Sequence, residues 1–162
     1  MSITDDTFKE LMKRFASGVT LITFENDGNY SGLTVSSFCS LSMNPPLILI
    51  CIDKKIPSHE SLKNSTHFGV NICTSEQGKL AWDFANSNVD KNELILSLNH
   101  NITENKVPLL NDCLASIECT IKETYEGGDH TIFVGQIEGG KFDEESVPLV
   151  YYKSGLGNFT PN

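Results

Sequence analysis

The sequence of 162 residues has no apolar run long enough to cross a membrane, and its beginning lacks the basic-then-apolar pattern of a signal peptide. It also lacks the Gly-x-Gly-x-x-Gly pattern with which Rossmann domains bind dinucleotides. Cationic residues are few: 12 Lys and Arg stand against 21 Asp and Glu, which gives a net charge of −9 at pH 7. An acidic surface repels phosphate backbones. We therefore expect neither a membrane nor a nucleic-acid partner, and no Rossmann domain for nicotinamide.

Cysteine and histidine are present but are not spaced as metal ligands. The five cysteines include no Cys-x-x-Cys pair, and the four histidines have neither helical nor Cys/His ligand spacing. Cys51, Cys73 and Cys119 lie in apolar or alternating segments, where a free thiol packs as a small hydrophobic group. An odd number of structural thiols is typical of a reducing compartment. We expect no metal site and a cytoplasmic location.

Length and pattern predict one domain over residues 1–162, mainly β with peripheral helices, and an antiparallel barrel. Residues 115–122 alternate strictly between apolar and polar, which is typical of a half-buried strand. Gly127 and Gly128 mark a turn, and residues 131–138 are predicted to return as the partner strand.

A second hairpin is predicted nearer the start of the chain. The run Glu-Asn-Asp-Gly-Asn at residues 25–29 is a strong turn signal. It separates the β-branched segment 19–24 from a strand that we expect to begin near Tyr30. Residues 68–72 alternate in the same way and predict a further strand, and 147–152 a last one.

Two capping boxes predict helices. Thr7 and Glu10 precede apolar residues at helical spacing, with Gly18 as the expected stop, and Thr74 and Gln77 begin a second helix. We interpret Trp82, the only tryptophan, as partly buried packing rather than as a platform for a ligand.

Residues 86–107 have the weakest secondary-structure signal in the chain. They contain five asparagines between Asn86 and Asn101 and show no clean period. The segment is predicted to be either a mobile flap over a site or a long surface excursion.

Residues 32–52 combine a hydroxyl cluster with a strongly apolar run. Residues 47–52 are apolar without interruption, which predicts a strand buried on both faces, and Pro45 and Pro46 mark its entry. The hydroxyl residues that precede it are Thr34, Ser36, Ser37, Ser40 and Ser42. Such clusters often mean only turns and strand edges. Beside an apolar floor, they also suit a planar polar ligand with a phosphate tail.

The loop that leaves this strand carries Lys54 and Lys55 and continues to Ser58, a plausible N-cap of a short helix. Backbone N–H groups and two lysines would form an anion site in an otherwise acidic protein. Two loop lysines that are merely solvated are the alternative.

The order of residues in 32–47 is more specific than its composition: it resembles the signature of the short-chain flavin reductases, whose fold is the FMN-binding split barrel. Five further blocks follow in the family's order, at residues 68–71, 80–85, 108–110, 127–135 and 148–152. Two positions depart from the family pattern. Asp83 replaces an arginine and Asn92 replaces an aromatic residue, so nucleotide contacts at both are in question.

The resemblance implies an antiparallel split barrel and an NAD(P)H-dependent reduction of bound FMN or FAD, with NADH or NADPH as hydride donor. It implies that reduced flavin is supplied to a two-component monooxygenase. By the same resemblance, Thr34, Val35, Ser36 and Ser37 line the flavin, and Ile52, Asp53, Lys54 and Ser58 take its ribityl-phosphate end.

His130 and Asp129 lie in the Gly-Gly-Asp-His block. The resemblance places the histidine beside the nicotinamide, where it is expected to position the ring or to donate a hydrogen bond to its carboxamide. Asp129 is expected to orient the turn or the imidazole. Because the two blocks are remote in sequence, we expect nicotinamide and flavin binding to be separable by mutation.

Two other functions stay open at this point: an electron carrier of the same fold, and a binding module without flavin. A homodimer is expected, because a barrel of this size has little depth for a flavin and family members complete the site across a two-fold interface.

Overall fold

The computed structural model describes residues 3–161, which form twelve strands, four α-helices and one 3₁₀ turn over Ser75–Gln77. The helices are α1 (Asp5–Met12), α2 (Ser58–Asn64), α3 (Gly78–Ala85) and α4 (Lys91–Ser97). The strands are β1 (Ser17–Gly18), β2 (Thr20–Asn26), β3 (Asn29–Val35), β4 (Phe38–Met43), β5 (Pro46–Asp53), β6 (His67–Ile72), β7 (His100–Ile102), β8 (Pro108–Leu110), β9 (Ala115–Gly127), β10 (His130–Phe142), β11 (Leu149–Tyr152) and β12 (Gly155–Asn158). No helix among these residues is long and apolar enough to span a bilayer.

Both predicted hairpins are confirmed. β2 and β3 meet through Asp27 and Gly28, whose φ angles of 51° and 83° place both turn residues in the left-handed region that this sharp reversal requires. β9 and β10 pair antiparallel over nearly their whole length. Gly128 has a φ of 71° in the turn between them.

The main sheet is antiparallel and has seven strands in the order β3-β2-β6-β9-β10-β5-β4. Its two edge strands, β3 and β4, are consecutive in sequence and are joined only by Ser36 and Ser37. Because so short a link reaches about 10 Å at most, the sheet must curl until its edges meet. The predicted antiparallel split barrel follows, and we call residues 34–37 the seam of the barrel.

The barrel interior holds one hydrophobic core and a second lies outside it. Ile22, Phe24, Phe68, Ile50 and Phe133 are fully buried in the interior. The second core packs the opposite face of β2 against helices α3 and α4. β2 and its neighbour β6 both have consecutive buried residues, so these two strands are buried on both faces.

The prediction that residues 47–52 are buried on both faces was wrong. Ile48, Ile50 and Ile52 are at most 3% exposed, whereas Leu47, Leu49 and Cys51 on the opposite face are partly exposed. A run without polar residues does not reveal which of its faces the protein itself covers.

Several predicted helix ends differ from the structure. Thr4, not Thr7, caps α1, accepting a hydrogen bond from the Thr7 N–H at 3.2 Å, and the helix ends at Met12 instead of near Gly18. The Thr74–Gln77 capping box is confirmed. Ser58 is the first residue of α2 rather than its N-cap.

The segment 86–107 contains an ordered helix, α4, which sequence reasoning missed. Asp90 caps it through the Glu93 N–H, and Ile95 is fully buried in the second core. The Asn92 side chain accepts a hydrogen bond from the Tyr30 N–H at 2.9 Å and so ties the helix to β3. Neither predicted description, a flap or a surface excursion, includes this packed helix.

Candidate functional site

A cleft of about 320 Å³ lies where β3, α2 and the connection from α3 to α4 come together. We refer to it below as the cleft. Its wall is formed by Ser31, Gly32, Leu33, Thr34, Ile56, Pro57, Ser58, Ser61, Phe84, Ala85, Ser87, Val89 and Lys91. Thr34 and Ser58, two of the predicted site residues, are thus brought to one cavity although 24 positions separate them.

The floor of the cleft depends on a close approach at Gly32. A Cβ atom at this position would lie 2.6 Å from Cε1 of Phe84 and 2.7 Å from the Ile22 carbonyl oxygen. Only glycine lets the aromatic ring of α3 rest against the β3 backbone. Thr34 makes the next contact, donating from Oγ1 to the Ala81 carbonyl at 2.5 Å. Strand and helix are therefore held as one wall.

The polar lining of the cleft is unusual for so acidic a protein. Four serines and one threonine line it, and among residues 3–161 Lys91 is the only charged lining residue and no carboxylate lines the cleft. The Lys91 ammonium donates to the carbonyls of Asn86 at 2.6 Å and Val89 at 2.9 Å. Burial lowers the pKa of Lys91, while Asp83 and Asp90 nearby act in the opposite direction. Hydroxyls and one cation suit a phosphate.

The seam continues from the cleft into two further hollows. One of about 200 Å³ shares Thr34 and Ala85 with the cleft and includes Trp82, Tyr151 and Ser36. Trp82 is 55% exposed, so less than half of its surface is covered, and the expectation that it is not a platform for a ligand stays a prediction. Because aromatic faces at the surface can stack on planar heterocycles, this side chain belongs to the candidate site.

The second hollow is an outer groove of about 560 Å³, formed by α1, the seam and the outer face of β5. Ser36 and Ser37 open onto it beside Phe8, Phe15 and Leu49. Ser37 is fixed to β5, since its hydroxyl donates to the Cys51 carbonyl at 3.0 Å and its carbonyl accepts from the Cys51 N–H at 3.1 Å. The protons of Thr34 and Ser37 are thus already used, so these hydroxyls can only accept from a ligand.

Two predicted site residues point elsewhere. Val35 and Ile52 are 5% and 1% exposed and belong to the core inside the barrel. Their backbones run along the seam and β5, so any contribution to ligand binding comes from main-chain atoms.

Lys54, Asp129 and His130 form a separate group, which we call the hairpin corner. The Lys54 ammonium donates to the Gly128 carbonyl at 2.6 Å and is paired with Glu126. The Lys54 N–H donates to the Asp129 carbonyl at 3.0 Å. Lys54 does not line the cleft, and its ammonium is already bound to the β9–β10 hairpin.

His130 completes the corner. Its Nδ1 lies 2.7 Å from Oδ1 of Asp129, and this hydrogen bond, with the charge of His130, holds the pKa of the Asp129 carboxyl below its usual value. Because an ionised carboxylate only accepts, Nδ1 carries a proton, and Nε2 is left for a ligand: it accepts a hydrogen bond when the ring is neutral and donates one when the ring is protonated. The His130 side chain is 41% exposed.

The corner and the loop after β5 are direct neighbours. His130 pairs with Asp53 in the β10–β5 ladder, and the Asp53 carboxylate accepts from the Lys55 N–H at 2.9 Å. Remoteness in sequence therefore does not separate the two predicted sites. A buried bridge also links them: Nε2 of His59 lies 2.9 Å from Oγ1 of Thr131.

The functional residues that sequence reasoning missed are Ser31, Ser61, Phe84, Ser87 and Lys91. The spacing of Ser58 and Ser61 by three was a usable signal, because it places both on one face of a helix. Lys91 lies in the segment that showed no period.

The remaining titratable groups are not arranged as a reactive centre. All five cysteines are free, and burial raises the pKa of the Cys73 and Cys119 thiols to about 12 and that of Cys113 to about 11. Within residues 3–161, no group of three or more His, Cys, Asp or Glu side chains is placed to hold a metal ion.

Known proteins of similar sequence match almost the whole chain. The flavin reductase like domain model matches residues 12–160. The reductase component of a 4-nitrophenol 4-monooxygenase/4-nitrocatechol 2-monooxygenase from Rhodococcus opacus is 34% identical over 95% of this chain and 80% of its own length. An NADH-dependent flavin reductase from Rhodococcus sp. is 29% identical over 93% and 84%.

Solved structures agree with this. An NADH:FAD oxidoreductase of Streptomyces globisporus C-1027, solved in complex with NAD and FAD fragments, superposes with a TM-score of 0.89 at 29% identity, covering 100% of this chain and 99% of that one. The flavin reductase component of a bacterial two-component tryptophan halogenase gives a TM-score of 0.90 at 28% identity, covering 98% and 100%. The predicted split-barrel fold is confirmed, and the chain belongs to the flavin reductase-like domain family.

Proposed function

We propose that this protein is the flavin reductase component of a two-component system, oxidising NAD(P)H and supplying reduced flavin to a separate oxygenase. The enzyme class, an NAD(P)H-dependent flavin reductase, is that of its family and relatives. The observation that carries the proposal is the cleft at the barrel seam, rich in hydroxyls and, in the described part of the chain, free of carboxylates in a protein of net charge −9. Two relatives are named as reductase components that serve a monooxygenase and a halogenase.

The residues present fit a flavin, FMN or FAD. Gly32 lets the Phe84 ring pack against β3 as the floor of the cleft, and the seam offers main-chain groups beside small hydroxyl side chains. A bound flavin supplies the redox chemistry, accepting a hydride from NAD(P)H, so the chain needs no nucleophile of its own. Its tasks are to orient the ring, hold the phosphate end and leave one ring face open to nicotinamide.

The flavin-binding set that we propose has two parts. Thr34, Val35, Ser36 and Ser37 lie along the ring, with Val35 contributing only its backbone. Ile52, Asp53, Lys54 and Ser58 lie toward the ribityl-phosphate end. Ser58 supports this part best, since it lines the cleft. Lys54 would have to exchange its contacts with Gly128 and Glu126 for a phosphate.

His130 and Asp129 are proposed to act on the nicotinamide. Asp129 fixes the imidazole through Nδ1, which leaves Nε2 to hydrogen-bond a carboxamide, as an acceptor when the ring is neutral and as a donor when it is protonated. His130 is thus a positioning group. Hydride transfer needs no protein base, so we assign none.

We also propose that a second copy of the chain completes the site. Helix α1 has no buried residue, and Phe8, Met12 and Phe15 are 52%, 53% and 76% exposed beside the seam. Leu41 and Met43 extend this apolar surface along the edge strand, at 48% and 95% exposure. Contiguous apolar surface of this kind is typical of an interface. A monomer by light scattering at micromolar concentration, with flavin bound, would refute the dimer.

The single domain over residues 1–162 and the cytoplasmic location also remain proposals. The five free thiols support a reducing compartment.

An anaerobic stopped-flow experiment tests the function. The protein is mixed with FMN or FAD and then with NADH or NADPH, and loss of the visible absorbance of oxidised flavin is followed. We expect rapid bleaching with one nicotinamide, at a rate that saturates with its concentration. Flavin binding without bleaching would favour the electron carrier, and no flavin binding would favour the module without flavin.

A further inference from the structure

We propose that Lys91 supplies the positive charge that holds the phosphate of the bound flavin, with Ser58 and Ser61, which line the same cleft, donating to it. This inference rests on the proposed function and assigns the ligand's charged end to a residue that the sequence analysis did not include in the candidate site. The ligand group is the phosphomonoester of FMN or the diphosphate of FAD.

The charge of the cleft differs in sign from that of the whole chain. Among the described residues, the cleft is lined by one ammonium and no carboxylate, whereas the whole chain has 21 acidic residues against 12 basic ones. An anion is therefore attracted into this cavity against the field of the rest of the surface. Asp83, which is near Lys91, is bound to Lys79 at 2.6 Å and does not line the cleft.

The Lys91 ammonium and the serine hydroxyls of the cleft have hydrogen-bond donors left for a ligand. An ammonium has three donor protons, and Lys91 uses two of them on the carbonyls of Asn86 and Val89. Those two bonds orient the group and leave one proton for a ligand. Among the described residues, the hydroxyls of Ser31, Ser58, Ser61 and Ser87 make no hydrogen bond to another protein group. Each can therefore donate to a phosphate oxygen.

Lys54, the other lysine proposed for the phosphate end, is less available for a ligand than Lys91. Lys54 is held by Gly128 and Glu126, and its amide N–H is held by Asp129. Moving it to a phosphate would leave Glu126 unpaired and release the β9–β10 turn. Lys91 needs no such exchange.

The test compares FMN with riboflavin, which has the same ring system and ribityl chain but no phosphate. Both are titrated into the full-length protein by fluorescence quenching or calorimetry, at low salt and at high salt. In the wild type we expect FMN to bind more tightly, with a preference that shrinks as salt increases. FAD is titrated as well, and if the wild type binds none of the three compounds, the proposed function fails, and Lys91 is then no phosphate ligand either.

Lys91→Met should weaken FMN binding by about 10- to 100-fold, the range for loss of one charge-assisted contact, and riboflavin binding by less than about threefold. Lys63→Met, which removes a charge from the exposed face of α2, is the matched control and should leave the preference for FMN intact. A purely structural role for Lys91 would weaken both ligands equally and overturn the proposal. Loss of the preference in Lys54→Met instead would assign the phosphate to the hairpin corner and also overturn it.

Two further variants keep the test decisive if Lys91→Met does not fold. Lys91→Arg retains the charge and should retain the preference for FMN. Ser61→Asp places a carboxylate in the cleft on a half-buried helical position and should abolish that preference, with riboflavin bound as before. An unchanged preference in Ser61→Asp contradicts the proposal.

Discussion

The cleft and the hairpin corner each contain a lysine close to the predicted site, and they use it in opposite ways. In the corner, Lys54 and His130 are each bound to a carboxylate, Glu126 and Asp129 respectively. In the cleft, Lys91 is bound only to backbone carbonyls. A cation that is already neutralised fixes a turn, and a cation held only by dipoles keeps its charge for a ligand.

The two regions are nevertheless parts of one unit. Residues 53–58 leave the corner, where Asp53 pairs with His130, and reach the cleft at Ser58. The difference between them is therefore local electrostatics and not distance. This suggests that the flavin's phosphate end and the nicotinamide are held by opposite ends of the same short connection.

The largest difference between the cleft and the hairpin corner is expected when a substitution fills the floor of the cleft. Gly32→Ala places a Cβ against the Phe84 ring and the Ile22 carbonyl, and overpacking of this kind costs about 1–3 kcal/mol of folding free energy. We expect a fall in Tm of roughly 2–12 °C for a chain of this length and weaker flavin binding. Thermal denaturation with and without flavin measures both.

The matched control is Gly128→Ala in the hairpin corner. No atom lies within 4 Å of the added Cβ there, but the φ of 71° makes alanine strained by about 1 kcal/mol. Flavin affinity should be unchanged. Equal effects of the two variants on flavin binding would show that the cleft is not the flavin site.

A second test removes the imidazole from the corner. His130→Ala should lower kcat/KM for NAD(P)H about five- to thirty-fold, the equivalent of one hydrogen bond, with flavin affinity near that of the wild type. The side chain is exposed and bonded only to Asp129 among described residues, so its removal leaves the β10–β5 ladder intact. A catalytic base would cost about 10²- to 10⁴-fold.

His67→Ala is a suitable control for that experiment, because His67 lies on β6 and bonds Thr66. It should leave the kinetics unchanged. Loss of flavin from His130→Ala with retained fold would instead place His130 in the cofactor site.

The smallest expected effect comes from Asp129. Because hydrogen bonding to His130 lowers the pKa of this carboxyl, their interaction is complete above the ordinary Asp range and is lost only as the pH falls through the lowered value. Asp129→Asn should therefore raise the KM for NAD(P)H by up to about fivefold at pH 7, as expected for an exposed pair. Steady-state kinetics from pH 7.5 to 8.5, above the ordinary range in which an imidazole changes its charge, should show a constant ratio between variant and wild type. A ratio that collapses to one within this range would contradict the assignment.

Periodicity predicted the strands and hairpins well, because alternation and turn residues are local properties of the chain. It could not show which face of β5 lies inside the barrel, since Leu47 to Ile52 contains no polar residue to mark the outer face. The family resemblance, and not periodicity, assigned ligand contacts to Val35 and Ile52, whose side chains fill the interior.

The candidate site was predicted in its segments but not in its contacts. The seam and the Gly-Gly-Asp-His block were found, yet the pairing of His130 with Asp53 depends on register across the sheet. Lys91 was missed because α4 is only seven residues long and buries one side chain, Ile95, which is too little to give a period.

The two-residue link between the edge strands has a consequence for local stability. Among the described residues no ladder joins β3 to β4 at the seam; the chain itself crosses there, and the bonds of Ser37 to Cys51 only continue the β4–β5 pairing on one side. Such a junction can open without unfolding the sheet on either side of it. A flavin bound across the seam would stabilise this junction reversibly. At a free flavin concentration of a hundred times its Kd, the gain in folding free energy is about 2.7 kcal/mol. Release of reduced flavin to an oxygenase would then loosen the barrel at this junction, at the moment when the next flavin must enter.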